Sequence, residues 1–311
     1  MTADQIYCSD LSLQAEGQIF GTATHTEAYL LLEYNGAWGK KAIPDSNLPL
    51  PIKAYLTEIE ESSTALKTLL IIGQEKTQRK EIHLYIAVAR GDKPSLYSFH
   101  LGSYEDLLDI DIPKVLIGEP QYGLQLSKKS IYLVCTHGRR DKCCAKFGLP
   151  VYETMETQAS GSAEVWQSTH VGGHRFATNL LYLPDSLLYG RVNSENVYKI
   201  LDAHGRRQVH YPNLRGRTCY DPIAQAAEHF LQQETGNTSV HAYRLAETEE
   251  VNPGEWAIMF RSTDIGQTHH LILRVVISDQ QVYQGCGLDK QTHLKKYQLV
   301  SYQTLNAKDG G

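Results

Sequence analysis

Between residues 28 and 101 the chain carries four short apolar or alternating runs: AYLLLEY (28–34), TLLIIG (68–73), IHLYIAVA (82–89) and SLYSFHL (95–101). Runs of this length, rich in Leu, Ile, Val and Tyr, have the pattern of strands buried on one or both faces. Between them AYLTEIEESSTALK (54–67) has helical spacing and an acidic outer face. Together they predict a mixed α/β region over residues 1–120 with a strong strand component. KTQRKE (76–81) reads as a solvated turn between strands. PKVLIGEPQYG (113–123), with two prolines and two glycines, is the best candidate for a linker. No internal repeat and no low-complexity segment is visible in the sequence.

From residue 131 the pattern becomes strand, loop, helix and hairpin. IYLVC (131–135) predicts a short buried strand that runs straight into a cysteine-rich loop. CAKFGLPVYETMETQ (144–158) predicts a short helix interrupted at Gly148-Leu149-Pro150, because proline removes a helix hydrogen bond. VWQSTH (165–170) follows as a strand. NLLYLP (179–184) and LLYGRV (187–192) then form a hairpin over Asp185-Ser186. Asn193 or Ser194 can cap a helix through VYKILDAH (197–204), and DPIAQAAEHFLQQ (221–233) is an amphipathic helix. WAIMF (256–260), HLILRVVI (270–277) and KYQLVSY (296–302) make the remainder β-rich.

A net charge of −5 and a pI near 6.2 argue against a general nucleic-acid binder, which is normally basic. No apolar run approaches the ~18–20 residues that span a membrane, and the N-terminus lacks the basic and apolar regions of a secretory signal. Six cysteines at uneven spacing in 311 residues do not resemble a disulfide framework. The expectation is a reduced, cytoplasmic protein.

Three of those cysteines, Cys135, Cys143 and Cys144, fall within LVCTHGRRDKCCAKFG (133–148), among four Lys and Arg side chains. A phosphatase-type loop would need an Arg six positions after its Cys, but Asp141 stands there and would repel a phosphate. A thioredoxin-type dithiol needs Cys-x-x-Cys at a helix start, whereas Cys143 and Cys144 are adjacent. A second stretch, STHVGGHRF (168–176), places His170 and His174 around two glycines. The glycines, each costing ~1 kcal/mol in a helix, predict a loop in which both imidazoles converge on one object. A zinc-protease motif is absent, since no Glu follows His170. Soft thiolates and imidazoles together suit zinc or an iron–sulfur centre. A Rieske arrangement would pair one Cys and one His per loop, and here the ligand types are segregated.

CTHGRRDKCCAKFG followed by THVGGHRFATNLLYLPDSLLYGRV resembles the sucrase/ferredoxin-like family, relatives of the thioredoxin-like 2Fe-2S ferredoxins. The match is strongest over about residues 130–235. The resemblance implies an α/β fold with a thioredoxin-like ferredoxin domain over 125–235, between the 1–120 region and a β-rich 236–311 region that can pack on it. It implies a Cys-x8-Cys pair, Cys135 and Cys144, and a His-x3-His pair, His170 and His174, as ligands of a 2Fe-2S cluster. Cys143, His137, Arg140 and Arg175 are then neighbours of the ligands, and Cys8, Cys219 and Cys286 are structural or incidental. The implied role is an electron carrier rather than an enzyme with its own substrate. It would exchange electrons with a redox partner protein, a reductase or an acceptor, and couple this to histidine protonation. The basic residues Arg139, Arg140, Lys142, Lys146 and Arg175 either balance cluster charge, dock an acidic partner or are simply solvated. The alternatives are a mononuclear Zn site on the same four residues and a thiol–disulfide redox enzyme.

Overall fold

The computed structural model describes residues 7–15, 17–73, 81–89, 93–159, 161, 163–264, 266–286 and 291–305. After a short helix α1 (Cys8–Gln14), the chain forms β1 (Ala28–Glu33), α2 (Leu50–Glu61), β2 (Leu66–Ile72), β3 (Ile82–Val88), β4 (Ser95–Leu101) and α3 (Ile112–Leu116). It continues with β5 (Ser130–Cys135), α4 (Lys142–Gln158), β6 (Ala163–Ser168), β7 (Leu180–Leu183), β8 (Leu187–Tyr189) and α5 (Val197–Gly205). β9 (Leu214–Arg217), α6 (Pro222–Thr235), β10 (Tyr243–Asn252), β11 (Glu255–Ser262), β12 (Thr268–Tyr283) and β13 (Gln291–Leu305) complete it. The fold is mixed α/β, as expected.

Nine strands make one sheet in the order β4-β3-β1-β2-β6-β5-β7-β8-β9, and β10 to β13 make a separate antiparallel sheet. The large sheet contains the same unit twice. β1 and β2 are parallel across the crossover helix α2, and β3 and β4 add antiparallel beyond β1. β5 and β6 are likewise parallel across α4, with β7 and β8 antiparallel beyond β5. A helix follows each unit, α3 after β4 and α5 after β8. The two units meet at an antiparallel seam, Ile71 opposite Ser168 and Ile72 opposite Gln167. Thr169 extends the seam, donating its N–H to Leu70 O at 2.9 Å and accepting from Leu70 N at its Oγ1. This topological duplication has no counterpart in the sequence.

Burial on both faces explains why the central strands are almost continuously apolar. Along β1, Leu30 and Leu32 pack with Ile52, Leu56 and Ile59 of α2, while Tyr29 and Leu31 face the opposite layer. Along β5, Tyr132 and Val134 pack with Val151, Tyr152 and Met155 of α4, and Leu133 and Cys135 face the other way. The period of two thus delivers Cys135 to a defined face at the end of its strand.

Several sequence expectations are corrected. The first long helix ends at Glu61, not 67, because Leu66 and Lys67 pair with Ala28 and Tyr29 in the parallel ladder. α4 runs unbroken through Pro150, since burial of Val151, Tyr152 and Met155 outweighs the lost hydrogen bond. Gly148 is required there: a Cβ at that position would run into the carbonyl oxygen of Cys135. Residues 113–123 form α3 and part of a 3-10 turn over Pro120–Gln125 rather than an open linker. β9 and β10 were not anticipated; β10 is mostly exposed and Glu-rich, so it lacks an apolar signal. Residues 76–80 of the expected KTQRKE turn lie outside the described residues. The remaining strands, the hairpin and helices α5 and α6 fall where the patterns place them.

The small sheet packs on α6 through Ile258, Phe260, Leu271 and Leu273 against Ala226, Ala227 and Leu231. It is tied to the start of the chain as well. Gln18 donates from Nε2 to Tyr297 O at 2.9 Å and accepts from Tyr297 N at 2.6 Å.

Candidate metal centre

Asp141 starts α4. Its backbone is extended, and its carboxylate Oδ1 accepts the N–H of Cys143 at 2.9 Å, a helix N-cap. This fixes Cys143 and Cys144 in the first turn, where unpaired backbone N–H groups favour negative charge. Adjacent residues on a helix point about 100° apart, so the two thiols face different surroundings.

Cys144 meets Cys135 and His170. Nδ1 of His170 lies 3.8 Å from Cys144 Sγ and 3.9 Å from Cys135 Sγ, and the three donor atoms all lie within 4.8 Å of one another. Both cysteines are fully buried. The contact with Cys144 holds the Cys135 thiol well below its ordinary pKa and pushes that of Cys144 up. His174 stacks obliquely beside His170, with ring centroids 5.0 Å apart. Neither of its ring nitrogens has a hydrogen-bond partner, although the ring is nearly buried; its nearest acidic atom is Asp141 Oδ2 at 3.8 Å. Burial lowers its pKa and keeps it neutral, the form that ligates a metal. Cys135, Cys144 and His170 could therefore hold a metal ion, and His174 is an orphaned donor at its edge.

The His170 loop is shaped by its two glycines, as expected, and by Arg215 and Asn179, which sequence reasoning missed. Gly172 and Gly173 have φ of 106° and 69°, conformations that favour glycine. Arg215, fully buried on β9, donates from Nη1 to Gly172 O at 3.0 Å and to Asn179 Oδ1 at 2.7 Å. Asn179 in turn donates to Gly173 O at 3.0 Å. A side chain at Gly173 would collide with the Arg215 guanidinium. No local signal marks Arg215, because its partners are distant in sequence.

The other expected neighbours make contacts of their own. His137 donates from Nε2 to Gly39 O at 2.7 Å, in the loop between β1 and α2. Arg140 is exposed and lines a cavity of about 260 Å³ with His137, His170, Lys40, Lys41 and Lys67. Arg175 lies with its guanidinium 4.6 Å from the Phe176 ring. Cys143 does not join Cys135. Its Sγ lies 3.4 Å from Cys8 Sγ and 3.1 Å from Cys286 Sγ, so Cys8 and Cys286 are not scattered as their sequence positions suggested. Cys219 stands apart, accepting from Ser186 Oγ at 3.4 Å.

The sucrase/ferredoxin-like family model matches residues 19–216, the whole nine-stranded sheet but for one residue. The chain belongs to the sucrase/ferredoxin-like family. Among curated proteins it is similar to altered inheritance of mitochondria protein 32 of Meyerozyma guilliermondii, 40% identical over 80 residues. That match covers 23% of this chain and 28% of the relative. The protein of the same name from Debaryomyces hansenii is 33% identical over 82 residues, 24% of this chain and 30% of the relative. The chain thus spans less than a third of the length of these two relatives. No solved structure gives a significant match. Among the described residues no helix is long and apolar enough to cross a membrane.

Proposed function

We propose that this chain is an electron-transfer protein that holds a 2Fe-2S cluster through Cys135, Cys144, His170 and His174. The observation that carries the reading is the convergence of two buried thiols and the Nδ1 of His170 within 4.8 Å, beside a histidine whose ring nitrogens have no partner. Membership of a family described as ferredoxin-like supports it. When bound, such a cluster supplies one-electron redox chemistry, at a higher potential than its all-cysteine counterpart because imidazole donates less charge than thiolate. With Nδ1 of His170 facing the sulfurs, electron uptake by a bound cluster would be coupled to proton uptake at the outer nitrogens of its imidazole ligands. Lys40, Lys41, Lys67 and Arg140, with Glu60 beside Lys67, line the same cavity as His170, a mostly basic entrance suited to an acidic redox partner.

A mononuclear Zn site at the same residues is the second reading, favoured by the sulfur–nitrogen separations of 3.8 and 3.9 Å, which suit donors around one ion. Protein purified without air decides between them. The expected result is a reddish-brown chain with two irons and two acid-labile sulfides that bleaches with dithionite. A preparation lacking iron and sulfide would sink the cluster reading.

A further inference from the structure

Cys8, Cys143 and Cys286 come from α1, the first turn of α4 and the segment after β12. They are 135, 143 and 278 residues apart pairwise. Their Sγ atoms form a triangle with sides of 3.4, 3.1 and 3.6 Å. The carboxylate of Asp141 completes a group of four whose donor atoms all lie within 4.8 Å of one another. A buried thiol alone packs like a small hydrophobe and needs no explanation. Three in mutual contact are different, because a disulfide would use two and strand the third.

Two of the three sulfurs accept hydrogen bonds besides their mutual contacts. Ser9 donates from Oγ to Cys143 Sγ at 3.3 Å, and Cys8 donates its backbone N–H to Cys286 Sγ at 3.4 Å. Hydrogen bonds of this kind orient metal-bound sulfurs. Asp141 binds the backbone N–H of both Cys143, at 2.9 Å, and Cys286, at 2.8 Å, so one carboxylate positions two of the three cysteines. Tetrahedral Zn–S bonds of ~2.3 Å hold sulfurs roughly 3.8 Å apart, so the triangle needs to open by only a few tenths of an ångström per thiol.

We propose that Cys8, Cys143 and Cys286 form a metal site, separate from that of Cys135 and Cys144, for a thiophilic ion of the Zn²⁺ or Cu⁺ class. The ion staples the N-terminal helix and the end of β12 onto the start of α4. Loading releases the thiol protons to solvent and changes no oxidation state. The fourth position of a Zn²⁺ ion falls to an Asp141 oxygen or a water; Cu⁺ is satisfied by three sulfurs. The adjacent cysteines 143 and 144 therefore serve two different centres, and this site stands whether or not the neighbouring one holds a cluster.

Metal analysis of the full-length chain, purified without air or added metal, is the first test. The expected result is one zinc or copper per chain, lost in Cys286→Ser and in Cys8→Ser with iron content unchanged; which metal is found separates the two ions. In Cys135→Ser/Cys144→Ser protein, added Co²⁺ should give a thiolate-to-cobalt charge-transfer band that one equivalent of Zn²⁺ abolishes. Cys286→His should keep one ion with a weaker band, which a variant that merely misfolds would not. Neither zinc nor copper in the parent chain, metal content unchanged in Cys286→Ser, or a disulfide joining two of the three cysteines in the isolated protein would each overturn the proposal.

Discussion

At the scale of single residues, the candidate centre depends on residues that contribute no sulfur or imidazole. Gly173 is the sharpest case, with φ of 69° and the Arg215 guanidinium where a Cβ would go. Gly173→Ala should cost on the order of 2–3 kcal/mol of unfolding free energy, part from the left-handed backbone and part from displaced Arg215 hydrogen bonds. Chemical denaturation with the far-ultraviolet signal checks this, and a loss below ~0.5 kcal/mol would show that the loop relaxes freely. His174→Cys tests the proposed ligand set. It should retain a cluster with a lower potential and a flatter dependence of potential on pH, measured by redox titration at several pH values. An unchanged potential would mean that His174 is no ligand. The four proposed donors were legible because each pair sits in one local motif, Cys-x8-Cys or His-x3-His. Arg215, Asn179 and the Cys8–Cys286 contact were not legible, because they join segments whose proximity only the tertiary fold creates.

At the scale of elements, α4 organises most of the chemistry. Its N-cap Asp141 holds the amides of Cys143 and Cys286, and its Gly148 lets the helix backbone approach the end of β5. Asp141→Ala should cost about 1–2 kcal/mol, the range for a lost cap with a second amide left unpaired. Amide exchange should speed up at Cys143 and Cys286 together; acceleration at Cys143 alone would sink the idea that one carboxylate ties both. The capping residue was readable in principle, since Asp before a helix start is a standard signal. The uninterrupted helix was not. Proline predicts a break unless packing beyond it compensates, and Val151, Tyr152 and Met155 supply that packing only once β5 is in place.

At the scale of the molecule, two half-buried histidines held neutral should tune stability to pH. His204 accepts or donates hydrogen bonds of 2.8 Å to both Tyr132 and Tyr189, and burial pushes its pKa down to about 3. His229, stacked on Phe20 at 3.9 Å, is pushed down to about 4 by burial. Each protonates near pH 6.5 in the unfolded chain. Their stabilisation is therefore complete above about pH 6.5 and is lost as pH falls towards 4 and then 3. Unfolding free energy should drop by on the order of a few kcal/mol across that window. His204→Gln should flatten the profile in urea titrations between pH 4 and 7.5; an identical slope in parent and variant would refute the assignment.

The strand pattern revealed most of the large sheet, because period-two burial is written locally in β1, β3 and β5. Its duplication was hidden, because hydrogen-bonding topology constrains strand order and not residue identity. In each unit a loop joins the first strand to its crossover helix. In the second unit that loop leads into the cysteine pair; in the first, residues 34–49 carry no cysteine and reach across so that Gly39 accepts the His137 hydrogen bond. Lys40 and Lys41 of the same loop form part of the basic rim. The fold thus splits the candidate centre between twins: one is furnished with sulfur and imidazole donors, and the other lends a loop that walls one side of them. On the proposed electron-transfer role, selectivity for a redox partner would change through the first unit while the donor residues of the second stay untouched.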